Sequence, residues 1–156
     1  MVFKINISEK TGKTYKLETE SEVFLEKSLG DKVEGKEISG ELSGYEFEIT
    51  GTSDKAGFPA FKEAGGIGLN RLLLGYGKGM HKKPRGVKKK GKKPEGLRLR
   101  KTVRGKIISP EIVQINLKVL KEGAKKLGEI FPDQNKPKEQ GKKEAEETRP
   151  GEAELK

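Results

Sequence analysis

Leu97-Arg98-Leu99-Arg100-Lys101-Thr102-Val103-Arg104-Gly105-Lys106-Ile107 holds two patterns in one stretch. Leu97, Leu99, Val103 and Ile107 share one parity, with Lys101 the polar intruder, and Arg98, Arg100, Thr102, Arg104 and Lys106 share the other. A period of two is the period of a β-strand, so 97–107 is read as a strand that buries the first set and displays the second. Side chains on one face of a strand recur about every 6.6 Å, so the cations form a row on a rigid support. Arginine dominates that row, and its guanidinium fork suits two-point hydrogen bonding to phosphate oxygens.

Upstream, residues 75–96 are dominated by glycine, lysine and proline, which leaves too little apolar surface to pack and predicts an extended basic arm. Before it, Leu72-Leu73-Leu74 reads as a short buried run, and Gly51 to Gly68 as an ordered, glycine-rich loop in which Pro59 disfavours helix at Phe58. Further back the strand period returns. Tyr45, Phe47 and Ile49 alternate with Glu46 and Glu48. Phe3, Ile5 and Ile7 alternate with Lys4 and Asn6, and Thr11-Gly12-Lys13 turns the chain into a second run with Tyr15 and Leu17 on one face. Residues 18–36 have room for one short helix before Gly30. Downstream, Val113, Ile115, Leu117 and Val119 alternate with polar residues, which outweighs the helix-capping pattern Ser109-Pro110-Glu111 and predicts a strand after a single turn. A short helix is expected within Ala124–Phe131, ended by Pro132.

Short strands separated by glycine turns predict a mainly β chain: a small β-barrel of short antiparallel strands with a basic extended arm and little helix. Residues 1–131 are read as a single domain that includes the arm 75–96 and the basic strand 97–107. Residues 132–156 mix Lys and Glu with Pro137 and Pro150 and are read as a charged, disordered C-terminal tail.

Charge names the class of partner. Between Arg71 and Lys106 there are 15 Lys or Arg residues against one acid, Glu95, a net +14 in a chain of net charge +10. The first 70 residues carry nine basic and 13 acidic side chains, and residues 107–156 balance at ten and ten. Cations confined to one segment repel one another until a polyanion neutralises them, and nucleic acid is that polyanion. A membrane surface is the weaker reading because no amphipathic anchor or lipidation signal accompanies the charge. Proteins that grip single strands interleave cations with aromatic rings, whereas Tyr76 is the one aromatic in the segment, so folded RNA or duplex recognised by backbone charge and shape is expected.

Other chemistries lack their parts. No apolar run approaches the ~20 residues of a bilayer span, and the N-terminal residues have no signal-peptide character, which together predict a cytoplasmic protein. Cysteine is absent and His81 is the only histidine, which leaves zinc clusters and Ser/His dyads without members. Gly86 to Lys93 matches G-x-x-x-x-G-K, but Lys93 stands where a P-loop needs Ser or Thr, and no apolar strand precedes it. Asp54-Lys55 is more simply an ion pair or a loop-fixing contact than an acid–base pair. No enzyme activity, cofactor, metal or small-molecule substrate is expected.

Three stretches in order, Gly51-Thr52-Ser53-Asp54-Lys55-Ala56-Gly57-Phe58-Pro59, Arg71-Leu72-Leu73-Leu74 and Leu97 to Gly105, resemble the consecutive signatures of small-subunit ribosomal protein six of the archaeal and eukaryotic (e-type) series. The resemblance covers residues 1–123, with the basic arm between the last two motifs. It departs at Ala60, where the family often has methionine, and in the glycines and lysines of the arm. It also lacks the serine cluster that ends eukaryotic members, so it points to an archaeal-like member. It implies a non-enzymatic β-barrel component of the small ribosomal subunit whose partners are small-subunit ribosomal RNA and neighbouring ribosomal proteins. The expected RNA contacts are Lys55, Arg71, Lys78, His81, Lys82, Lys83, Arg85, Lys88, Lys89, Lys90, Lys92, Lys93, Arg98, Arg100, Lys101, Arg104 and Lys106. Two readings of the same charge stay open: an RNA-binding assembly factor that visits ribosomal precursors, and a DNA-compacting basic protein.

Overall fold

The computed structural model describes residues 2–82, 95–132 and 134–135, and the fold is mainly β. Seven strands carry it: β1 (Phe3–Ser8), β2 (Thr14–Thr19), β3 (Lys32–Glu34), β4 (Glu46–Asp54), β5 (Leu69–Gly75), β6 (Arg98–Arg104) and β7 (Ile112–Lys121). Among the described residues, helix is limited to the single turns α1 (Gly35–Ile38) and α2 (Leu127–Ile130) and to 3-10 turns at Glu22–Phe24 and Gly40–Leu42.

Five strands form one sheet in the order β2-β1-β7-β4-β3, and β5 with β6 forms a separate two-stranded sheet. The expected barrel is therefore corrected: the larger sheet is open, with β2 and β3 at its edges. The expected all-antiparallel pairing is corrected as well, since β1 and β7 run parallel, with Ile5 opposite Ile115 and Ile7 opposite Leu117. A parallel pair needs a long connection, and more than a hundred residues separate these strands in sequence.

The larger core follows from the alternation. Ile5, Ile7, Tyr15, Phe47, Ile49, Ile115, Leu117 and Val119 line one face of the sheet, which the segment around Phe24, Leu29 and Leu42 and the short α2 cover. Phe3 and Phe24 meet edge to face at 6.1 Å, a favoured aromatic geometry. The β1–β2 turn closes as expected, with Glu9 N–H donating to Lys13 O at 2.9 Å and Gly12 at φ +90°. Beyond Phe131 the chain still holds the sheet. The Gln134 side-chain amide accepts from Lys16 N–H at 2.7 Å and donates to Lys16 O at 2.8 Å, and Asn135 donates to Thr14 O, which shields part of the β2 edge. The arm between 83 and 94, and position 133 and residues 136–156 of the tail, lie outside the described residues.

Two irregularities moved the boundaries of strands. Ile49 pairs with Leu117 and Gly51 with Asn116, so Thr50 is an extra residue, and the strand continues through this bulge to Asp54 where a loop was expected from Gly51. Likewise Ser53 faces Gln114 while Asp54 faces Ile112, which makes Val113 the extra residue and turns Ile112 into the core.

The smaller core lies under the β5–β6 hairpin. Ala64, Leu74, Met80 and Val103 are buried there, flanked by Phe61, Leu72, Leu97 and Leu99. The chain leaving β6 threads between two loops. Arg104 N–H donates to Pro59 O, Gly105 N–H to Gly68 O and Lys106 N–H to Ala64 O. Glycine is required at 105 because a Cβ there would overlap the Gly66 carbonyl.

Candidate nucleic-acid interface

The register of the β5–β6 hairpin decides which cations share a face. Gly75 lies opposite Arg98, Leu73 opposite Arg100, and Arg71 opposite Thr102, so these side chains form one face of the hairpin. The alternate residues Leu72, Leu74, Leu99 and Val103 turn toward the smaller core. Arg71, Arg98 and Arg100 are exposed, and among the described residues none of them makes an ion pair. The expected row of arginines on a strand is present at Arg98 and Arg100, and β5 extends it with Arg71.

The row ends before Arg104, and this corrects the expected display. Arg104 is 9% exposed. Its Nε donates to Asp54 Oδ2 at 3.0 Å, and a second nitrogen meets Glu111. The cause lies in the strand's far end: β6 runs into the β4 terminus and the turn before β7, and its last side chain points at their carboxylates. Burial opposes the charge on Asp54, but hydrogen bonds from Arg104 and from Phe58 N–H (2.8 Å) outweigh it and hold the carboxyl below its usual range. Burial likewise works against the guanidinium of Arg104, and the two carboxylates overcome it, so its affinity for the proton is raised. This clamp ties the hairpin to the larger sheet.

Leucine exposure differs from the expected buried run. Leu74 is buried and Leu72 half-buried, but Leu73 is 56% exposed, and Leu69 on the same face is 50% exposed. Strand alternation makes this unavoidable: three consecutive leucines cannot all face one side.

The remaining expected contacts fall around the hairpin. Lys78 sits at a tight turn and extends its Nζ over the Phe61 ring, 5.2 Å from the centroid, a cation–π contact. His81, Lys82 and Lys106 are exposed, as is Lys55 just beyond β4. Lys101 is half-buried, because it lies opposite Leu72 on the side facing the smaller core. Lys83, Arg85, Lys88, Lys89, Lys90, Lys92 and Lys93 lie outside the described residues.

Sequence reasoning did not anticipate an aromatic pair. Gly77 and Met80 exchange both backbone hydrogen bonds across the Lys78-Gly79 turn, which sets Tyr76 and His81 against each other with rings perpendicular and centroids 5.8 Å apart. The signal was present in Gly77-Lys78-Gly79, whose glycines adopt φ +150° and +74° and allow so tight a turn. No group of His, Asp and Glu able to hold a metal occurs among the described residues, and no helix there is long and apolar enough to cross a membrane.

Residues 3–132 match the family model described as Ribosomal protein S6e. The chain is 43% identical over 129 residues to the small ribosomal subunit protein eS6 of Methanococcus maripaludis, covering 82% of this chain and 94% of that protein. It is 41% identical over 134 residues to the eS6 protein of Methanothermobacter thermautotrophicus, covering 84% and 96%. With the eS6 protein of Methanocaldococcus jannaschii it shares 40% identity over 122 residues, 78% of this chain and 84% of that one. The motifs around Asp54, along β5 and along β6 fall within the matched span, and the chain belongs to the ribosomal protein S6e family.

Proposed function

We propose that this protein is a structural, non-enzymatic constituent of the small ribosomal subunit that binds folded ribosomal RNA through the β5–β6 hairpin and the basic stretch between its strands. The observation that carries the reading is the row of Arg71, Arg98 and Arg100. These three guanidinium groups share one face of a hairpin, are exposed, and have no carboxylate partner among the described residues. Guanidinium groups arranged in this way meet phosphate oxygens without first breaking an ion pair. The relatives are archaeal proteins named for the small subunit, which supports a cytoplasmic, ribosome-associated role with ribosomal RNA and neighbouring ribosomal proteins as partners.

Sedimentation of cell extract at high magnesium tests the reading. The protein is expected to travel with mature small subunits in stoichiometric amount. Finding it only with precursor particles would favour an assembly factor, and equal affinity of the purified protein for random duplex DNA and for folded small-subunit RNA would favour DNA compaction.

A further inference from the structure

Gly51 is a glycine for which the backbone supplies no reason. It pairs with Asn116 just past the Thr50 bulge, its φ is not positive, and nothing beyond its chain neighbours stands closer than 3.7 Å to where a Cβ would be, so alanine fits there. The two atoms nearest to that point are Asn116 Nδ2 at 3.7 Å and Lys78 Nζ at 3.8 Å. Both are held from behind. Asn116 Oδ1 accepts from Asn6 Nδ2 and from Gln114 Nε2, each at 3.1 Å, which fixes the side-chain amide with its Nδ2 on the Gly51 side. Lys78 reaches in from the turn beyond β5, its Nζ over the Phe61 ring. Among the described residues Asn116 Nδ2 donates to no acceptor, and Lys78 makes no ion pair.

An ammonium and an amide N–H brought to one point repel each other unless an acceptor lies between them. An anionic oxygen satisfies both, since the ammonium supplies charge and the amide a directed donor. Lys78 and Asn116 are half-buried and Thr50 beside them is exposed, which puts this corner of the sheet at the molecular surface. We propose that Lys78 Nζ and Asn116 Nδ2, on either side of the Cβ position that Gly51 leaves empty, form a seat for one phosphate oxygen of the bound RNA backbone. The inference rests on the ribosomal RNA reading and carries the contact from the hairpin onto the larger sheet, to a side chain, Asn116, that charge alone does not mark.

Filter binding of the full-length protein to folded small-subunit RNA across a salt series tests the seat. Lys78→Gln should lower the slope of log affinity against log salt by about 0.7–0.9, the share of one phosphate contact. Gly51→Ala changes no charge and should lower the slope by the same amount, because its methyl group stands between the two donors; circular dichroism verifies the fold. The two substitutions together should lower it no further, since both remove one contact. Asn116→Asp pairs Lys78 with a carboxylate and should also lower the slope with the urea midpoint undiminished, a result that mere damage to the sheet does not produce. A Gly51→Ala slope equal to that of the wild type, or losses that add in the double variant, overturns the seat and leaves the arginine row in place. Inorganic phosphate that raises the melting temperature of the wild type and not of Gly51→Ala, with the RNA slopes unchanged, assigns the seat to the free anion and overturns the RNA contact. A wild-type protein that does not bind folded small-subunit RNA overturns the RNA reading and the seat together.

Discussion

The five-stranded sheet and the β5–β6 hairpin treat the same residue types in opposite ways. In the larger sheet the leucines and isoleucines of alternating positions are buried, and exposed charges often face a partner across the strands, as Lys4 faces Glu18 and Lys121 faces Glu46. The hairpin leaves Leu69 and Leu73 half uncovered beside three arginines that have no carboxylate partner among the described residues. Alternation puts Leu73 on the outer face of the hairpin, but whether an outer face is paired or covered is not set by alternation, since both regions alternate. The sheet thus pairs its charges and buries its aliphatic side chains within the fold, whereas the hairpin leaves both uncovered among the described residues. The one arginine of the hairpin that is completed internally, Arg104, is also the one that joins the two regions.

That joint offers the largest expected effect. Asp54 retains only 3% side-chain exposure and bonds both Arg104 and the Phe58 N–H. Asp54→Asn keeps the shape and removes the charge, which leaves Arg104 buried with Glu111 alone. Removing one partner of a buried pair costs about 3–5 kcal/mol, and the remaining Glu111 favours the lower end, about 3 kcal/mol in urea unfolding at pH 7. The sign with pH follows from the depressed folded value. The stabilisation is complete above the ordinary carboxylate value of 3.8 and is lost as pH falls through the lower folded value. The stability gap between wild type and Asp54→Asn should therefore stay level from about pH 5 to 8 and shrink below about pH 4. A gap that instead widens on acidification would mean that Asp54 does not carry the charge that holds the joint.

A smaller effect separates the hairpin from the basic stretch that connects its strands. Arg71, Arg98 and Arg100 are fixed on a folded face, while the composition around Lys88, Lys89 and Lys90 predicts an arm that must be ordered when it binds, at a cost in entropy. Replacing the three arginines with glutamine should weaken binding to folded small-subunit RNA roughly tenfold more than replacing the three lysines. Each phosphate contact contributes about 0.7–0.9 to the slope of log affinity against log salt, so the arginine variant should also lower that slope by about two to three. Filter binding across a salt series reads both quantities. A loss as large in the lysine variant would shift the main grip to the arm.

The elements were legible where alternation was strict. Phe3 to Ile7, Glu46 to Ile49, Ile115 to Val119 and Arg98 to Val103 all form strands because one parity is apolar and burial selects it. Legibility failed at places governed by contacts distant in sequence. The bulges at Thr50 and Val113 shift parity by one residue, and pairing of β4 with β7 decides where they fall. Parallel pairing of β1 with β7 leaves no local mark either, which is why an open sheet read as a barrel. In the site, charge density located the cationic segment, and alternation ranked Arg98 and Arg100 correctly as exposed. The same alternation displayed Arg104, because nothing nearby in sequence reveals that Asp54 and Glu111 converge on it.

The smallest expected effect sharpens the comparison most directly, because it asks whether an exposed leucine belongs to the fold or to the interface. Leu73 is 56% exposed and faces Arg100 across the hairpin, on the side away from the smaller core. Leu73→Gln removes apolar surface that is already in water, so its cost to folding should stay within about 0.5 kcal/mol. Leu117 is fully buried, and Leu117→Ala should cost about 2–5 kcal/mol. Urea unfolding of the two variants side by side gives the contrast. If Leu73→Gln destabilised the protein as much as Leu117→Ala, the hairpin face would be part of the core and not a surface awaiting contact. A near-zero change instead leaves Leu73 available to the bound state, where its replacement should reduce incorporation into small subunits although the free protein folds as before.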